Sequence, residues 1–366
     1  MTSTPLFPEK VHEDYLQSSL ELLKDLIRTP SVSKSEGATA DLIENFLNTQ
    51  NIPVERKHHN VWARSRNYQP DKPTLLLNSH HDTVKPNAGY TLNPFEPIEK
   101  ETKLYGLGSN DAGASLVSLL HVFLYFYEAA MPLNIIFSAT AEEEISGENG
   151  LSAIISDLGA VDFAIVGEPT GMRMAFAEKG LMVLDGYAKG KSSHTARDEG
   201  ENAIYVAMQD IDWFRSYQFE KVSPILGPVK MNVTMIEAGY QHNMIPDHCH
   251  FVVDVRTTPG YTNLEILETI KEHTLSELIP RSTRLNPSGL SEDHLLVQAA
   301  KMLNLELFGS PTLSDQSLMP FPSCKIGPGV SERSHTADEF VYVKEIKIGI
   351  KGYIDLITTL NNMIVS

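Results

Sequence analysis

Apolar runs that end in polar groups recur along the first half of the chain. TLLLNSHHD (Thr74–Asp82), NIIFSAT (Asn134–Thr140) and DFAIVGEPT (Asp162–Thr170) each read as a buried strand. Between the first two, NDAGASLVSLLHVFLYFYEAA (Asn110–Ala130) predicts a turn followed by a long, mostly buried helix. Leu16–Arg28 and Asp41–Leu47 place apolar residues at helical spacing. Continuous apolar strands alternating with helices indicate a parallel or mixed sheet covered on both faces.

The texture changes after about Gly171. FAEKGLMVLDGYAKG, VKMNVTMIEAG and HCHFVVDVRTTPG alternate more loosely, with helical stretches at Asn202–Tyr217 and Asn263–Leu278 among them. A β-α-β-β-α order predicts an antiparallel α+β sandwich with helices on one face. After Asn286–Gly289 the earlier alternation returns and ends in a helix from about Val343 to Met363. The expected fold is α/β: a domain with a mixed, mostly parallel sheet covered by helices (residues 1–172 and 290–366) and an inserted, ferredoxin-like α+β domain (173–289).

Composition narrows the function classes. A formal charge of -17 lacks the basic footprint that nucleic-acid binding needs. The most apolar run, Ser115–Ala130, is interrupted by His121 and too short to span a bilayer. The first residues, MTSTPLFPEKVHEDY, carry neither a basic n-region nor an apolar h-region, so no secretory signal is expected and the cytoplasm is the expected compartment. Cys249 and Cys324 cannot form a disulfide framework and read as small buried hydrophobes.

The chemistry collects at strand ends. His80, His81 and Asp82 follow the first strand, Glu142, Glu143 and Glu144 the second, and Glu168 the third; Asp111 lies in the turn before the long helix and His335 near the C-terminus. Ligands in open α/β sheets sit at the carboxyl ends of strands, so these groups can converge on one crevice. Taken singly, each has a bland reading as a hydrogen-bonded turn residue, and an acidic run is commonly a solvated face. Together they form a nitrogen and oxygen donor set suited to zinc, cobalt or manganese. One carboxylate shared between two His-plus-carboxylate groups would make a two-metal centre. Neighbours on an extended Glu142–Glu144 segment would point opposite ways, one binding metal and the next facing substrate.

The motifs SHHD, GSNDAGAS, ATAEEE, GEPT, KGKSSHTA and SHTADEF occur in an order that resembles the acetylornithine deacetylase, succinyl-diaminopimelate desuccinylase and carboxypeptidase G family of co-catalytic zinc amidohydrolases. By that resemblance, His80 and Glu168 bind one of two divalent metals, zinc or cobalt, Glu144 and His335 bind the other, and Asp111 bridges both. Glu143 is then the general base, Asp82 orients the His80 imidazole, His194 assists at the reacting carbonyl, and Asn243 and Arg256 contact substrate. The resemblance also makes residues 1–172 and 290–366 the catalytic domain and 173–289 a lid and dimerisation domain, and implies a homodimer, a cis peptide between Asp111 and Ala112, and a small N-acyl amino acid as substrate. GSPTLSD and GPGVSERSHT point to the acetylornithine or N-acylcitrulline branch. The implied reaction is N-acetyl-L-ornithine to L-ornithine and acetate, in arginine biosynthesis. N-acetyl- or N-succinylcitrulline, N-succinylornithine, and di- or tripeptides remain alternatives, as does a non-catalytic binding protein on the same fold. A succinyl group would need a cationic partner, for which Arg173, Arg197, Arg256 and Arg333 are candidates. Two departures stand out: Ser79 where the family often has Gly, and Glu142 where it often has Asp.

Overall fold

The structure, a computed structural model, describes residues 9–197 and 199–365; most of the stretch MTSTPLFPEKVHEDY, for which no secretory signal is expected, lies outside them. Contacts divide the chain into two compact units. One comprises the residues through Phe176 with Leu290–Phe308 and Ser314–Ser366, the other Ala177–Gly289 with Gly309–Leu313.

In the first unit a mixed sheet runs in the order Glu55–Lys57, Asn60–Arg64, Asn134–Thr140, Thr74–His80, Phe163–Val166, Ser323–Lys325. Thr74–His80 runs parallel to both of its neighbours, and Ser323–Lys325 runs parallel to Phe163–Val166. Asn60–Arg64 is antiparallel to Asn134–Thr140. The two central strands are buried at every position. Their side chains alternate between faces and so feed two separate cores. Leu75, Leu77, Ile135 and Phe137 join the helices Glu9–Arg28, Ala114–Phe126 and Val343–Val365 in one cluster. Leu76, Ile136 and Ala164 meet Trp62, Leu151, Ile154 and Leu158 in another. This is why the strands read as uninterrupted apolar runs.

His121, fully buried in the Ala114–Phe126 helix, faces the Val117 carbonyl through Nδ1 at 2.8 Å and the Ser18 hydroxyl through Nε2 at 2.9 Å. A carbonyl only accepts, so Nδ1 carries the proton and Nε2 accepts from Ser18. Burial pushes its pKa down to about 4. The folded value lies below the unfolded one, so this contribution to stability is complete above about pH 6.5 and lost as pH falls towards 4. Denaturant titrations at pH 7 and pH 5 should show this acid loss, and His121→Asn should flatten it by up to about 1.4 kcal/mol per pH unit.

The second unit has the antiparallel order Lys230–Ala238, His248–Thr257, Gly180–Lys189, Glu277–Pro280. Helices Ala203–Ser216 and Asn263–His273 pack on one face through Ala207, Phe214, Ile266 and Ile270 against Leu184, Phe251 and Val253. One expected boundary moves. The helix expected to reach Leu278 stops at His273, and Glu277–Pro280 leaves to become an edge strand. Cys249 and Cys324 are buried free thiols, as expected of small hydrophobes.

Candidate metal centre

Parallel pairing brings the strand ends to one edge. His80 lies level with Thr140, and Asn78 pairs with both Ser138 and Val166, so the residues after the three strands start from neighbouring points. The Ser109–Gly113 turn adds Asp111, and the turn after Ser331–Arg333 adds His335. The Asp111–Ala112 peptide is cis.

Two triads result. His80, Asp111 and Glu168 form one and Asp111, Glu144 and His335 the other, the candidate ligand atoms of each lying within 4.8 Å of one another. Asp111 belongs to both and uses a different oxygen for each. Its Oδ1 is 3.3 Å from His80 Nε2, and its Oδ2 is 3.8 Å from His335 Nε2. His335 Nε2 is also 2.9 Å from Glu144 Oε2. The Glu143 carboxylate lies 3.9 Å from His80 Nε2.

The glutamate run is not extended, which corrects the expected alternation. Glu142 has a positive φ of 56°, and Glu143–Ile145 forms a single 3₁₀ turn. Asp82 holds this turn: its Oδ1 accepts the Glu143 N–H at 3.0 Å and its Oδ2 accepts the Glu144 N–H at 3.2 Å. Oδ2 also takes the Ser33 hydroxyl at 2.7 Å. Asp82 Oδ1 lies 3.5 Å from His80 Nδ1, while the Asp82 carbonyl is closer at 3.0 Å. That nitrogen therefore carries the proton and leaves Nε2 free to bind a metal. Glu142 turns away, its carboxylate accepting the Asn149 backbone and side-chain N–H groups at 3.3 and 3.1 Å. So the different orientations within the run come from a tight turn.

Electrostatics show what the cluster calls for. Burial pushes Glu143 well above the carboxylate range and Glu168 up to about 8. Burial opposes charge on His80, but Glu143, Asp111, Asp82 and Glu168 hold its pKa well above the imidazole value. The hydrogen bond to Glu144 raises His335 to about 9. Crowded buried carboxylates need protons or cations to compensate them. Two imidazoles and three carboxylates, with no thiolate, fit divalent zinc, cobalt or manganese.

A family model for peptidase family M20/M25/M40 matches residues 76–359, which include every residue of both triads. The chain belongs to this family. An acetylornithine deacetylase of Proteus mirabilis is 29% identical over 89% of this chain and 92% of its own length. A probable carboxypeptidase of Emericella nidulans is 28% identical over 93% of this chain and 88% of its own length. A solved tripeptidase from Staphylococcus aureus superposes with a TM-score of 0.74 at 21% identity, covering 95% of this chain and 99% of that one.

In this M20 chain the expected lid residues do not all meet. His194 pairs with Met244, and the Thr195 N–H donates to the Asn243 carbonyl at 3.2 Å, so His194 and Asn243 are exposed neighbours. They follow the end of the sheet where Lys189 pairs with His248. Arg256 lies eight residues along that strand from His248, roughly 26 Å at about 3.3 Å per residue. Its guanidinium pairs with Asp254 at 2.8 Å. Of the other candidate arginines, Arg333 is bound by Glu345 at 2.6 and 2.9 Å, and Arg173 by Glu306 at 3.2 Å while stacking on Phe308.

Two buried acids of this M20 site had no role in the sequence reading. Asp315 accepts from Asn78 at 2.8 Å and Thr140 at 2.7 Å, tying two strand ends together. Glu339 accepts three backbone N–H groups of the Asp111 turn. Both lie inside quoted motifs, GSPTLSD and SHTADEF. The only available signal was an acid in a motif that the ligand set did not use.

Proposed function

We propose that this protein is a dinuclear metal amidohydrolase that cleaves N-acyl amino acids, with N-acetyl-L-ornithine as its substrate and zinc as its metal. The observation that carries this reading is Asp111, whose two oxygens face two different histidines. His80 and Glu168 would hold one ion, Glu144 and His335 the other, and Asp111 both. Bound there, divalent ions would polarise the scissile carbonyl and make the attacking water more acidic. Glu143 then takes the proton from that water and returns it to the departing amine, freeing the amino acid and a carboxylate. Asp82 fixes the turn that aims Glu143 and Glu144. The deacetylase named among the relatives supports the acyl amino acid class. Incubation with N-acetyl and N-succinyl derivatives of ornithine and citrulline, and with di- and tripeptides, tests it. Acetate release from N-acetylornithine is the expected result. Preferential cleavage of peptides bearing a free α-amine would replace the substrate assignment.

The enzyme works, on this reading, as a cytoplasmic homodimer. The Lys230–Ala238 edge strand exposes Met235 and Ile236 and is paired on one side only within its unit, a surface that monomers normally protect. A dimer would also account for the separation within the lid, with Arg256 and the His194–Asn243 pair meeting one small substrate from two different lids. The developing oxyanion needs a donor aimed at it, and we assign that to the partner's His194. Co-refolding inactive Glu143→Ala with inactive His194→Ala chains should return about a quarter of native sites by random pairing. No recovery despite proven chain exchange would return His194 to its own chain.

A further inference from the structure

We propose that Glu339 is the positioning residue of the shared ligand: it clamps the backbone of the Asp111 turn so that the carboxylate presents one oxygen to each metal. The inference rests on the dinuclear reading above. Glu339 is 2% exposed. Its Oε1 accepts the N–H groups of Asn110 at 2.8 Å and Asp111 at 2.9 Å, and its Oε2 accepts that of Gly108 at 3.1 Å. Its own carbonyl takes the Gly106 N–H at 3.0 Å. Asp111 and Ala112 have non-helical backbone angles, and the bonds within the turn, Gly113 N–H to the Gly108 carbonyl at 2.9 Å and Ala114 N–H to the Ser109 carbonyl, leave the Asn110 and Asp111 N–H groups to Glu339.

The clamp is itself anchored. Next to it, Asp338 accepts the Thr91 and Leu92 N–H groups at 2.9 Å each. Arg333 donates to the Phe340 carbonyl at 3.0 Å and pairs with Glu345. His335 lies four residues before Glu339, between these anchors. A single segment therefore carries one ligand of the second triad and fixes the backbone of the ligand common to both. Asp111 is a short side chain, so a rotation of its backbone would swing both oxygens together. Loss of the clamp must then weaken both metals, whereas loss of His335 weakens one.

The test is calorimetric titration of metal-free protein with zinc, with visible spectra of the cobalt-loaded form as a second readout. Glu339→Gln keeps the shape but puts an amide where an N–H needs an acceptor. Both binding steps should weaken, by the 10–100-fold typical of groups that orient ligands, and the cobalt bands should shift. His335→Ala should lose one step and keep the other. Thermal unfolding of the metal-free proteins separates a general loss of fold from a loss of metal. Should Glu339→Gln not fold, Glu339→Asp, which keeps a carboxyl group but is one methylene short, carries the same expectation. Two unchanged steps in a folded variant, or a loss confined to one step, would overturn the inference. A wild-type protein that takes up fewer than two ions would instead overturn the dinuclear reading beneath it.

Discussion

Replacing Asp111 with alanine is expected to empty both metal positions and abolish hydrolysis, the largest effect of any single substitution in this protein. Each triad would be left with one imidazole and one carboxylate, His80 with Glu168 and His335 with Glu144. Two donors cannot complete the coordination of a divalent ion that ordinarily takes three or four protein ligands. The remaining carboxylates would keep the protons that burial already favours on Glu168. Elemental analysis should fall from two ions per chain to none. Because the substitution removes a charge from a crowded acidic cluster, the metal-free variant should unfold no earlier than metal-free wild type. Retention of two ions would show that Asp111 is not shared, and the dinuclear assignment would fail with it.

The second large effect separates adjacent glutamates. Glu143→Gln should keep both ions and lower kcat by about 10²–10⁴-fold, the usual contribution of a general base. The amide preserves size but cannot take a proton from water. Glu144→Gln should instead weaken the ion shared with His335, because Glu144 lies 2.9 Å from that imidazole, and activity should be partly recovered at high metal concentration. An exchange of the two phenotypes would shift the assignment by one residue. The geometry speaks for the present order. Glu143 approaches His80 and Glu144 approaches His335, while Glu142 is committed to Asn149.

The catalytic sheet was legible because its central strands are buried on both faces, which writes a continuous apolar run into Leu75–Leu77 and Ile135–Phe137. The same rule made the strand ends conspicuous: a polar group directly after such a run needs a reason. The second unit was less legible. One face of its sheet is uncovered by helices within its unit, so alternation is diluted and the strand at Glu277–Pro280 was absorbed into the preceding helix. The conformation of the glutamate run was also hidden, since Glu142 adopts a positive φ without the glycine that usually announces it.

Local patterning, then, determined which residues form strands and which polar groups follow them, because burial and the two-residue repeat act over a few neighbours. Tertiary structure alone decided how those groups are aimed. His335 reaches Glu144 across 191 positions and Glu339 reaches the Asp111 turn across 228. Asp82 folds a run of like charges into a tight turn by accepting two of its N–H groups. Hydrogen bonds between such distant segments depend on the packing of the whole sheet, and nothing in the local sequence encodes their direction.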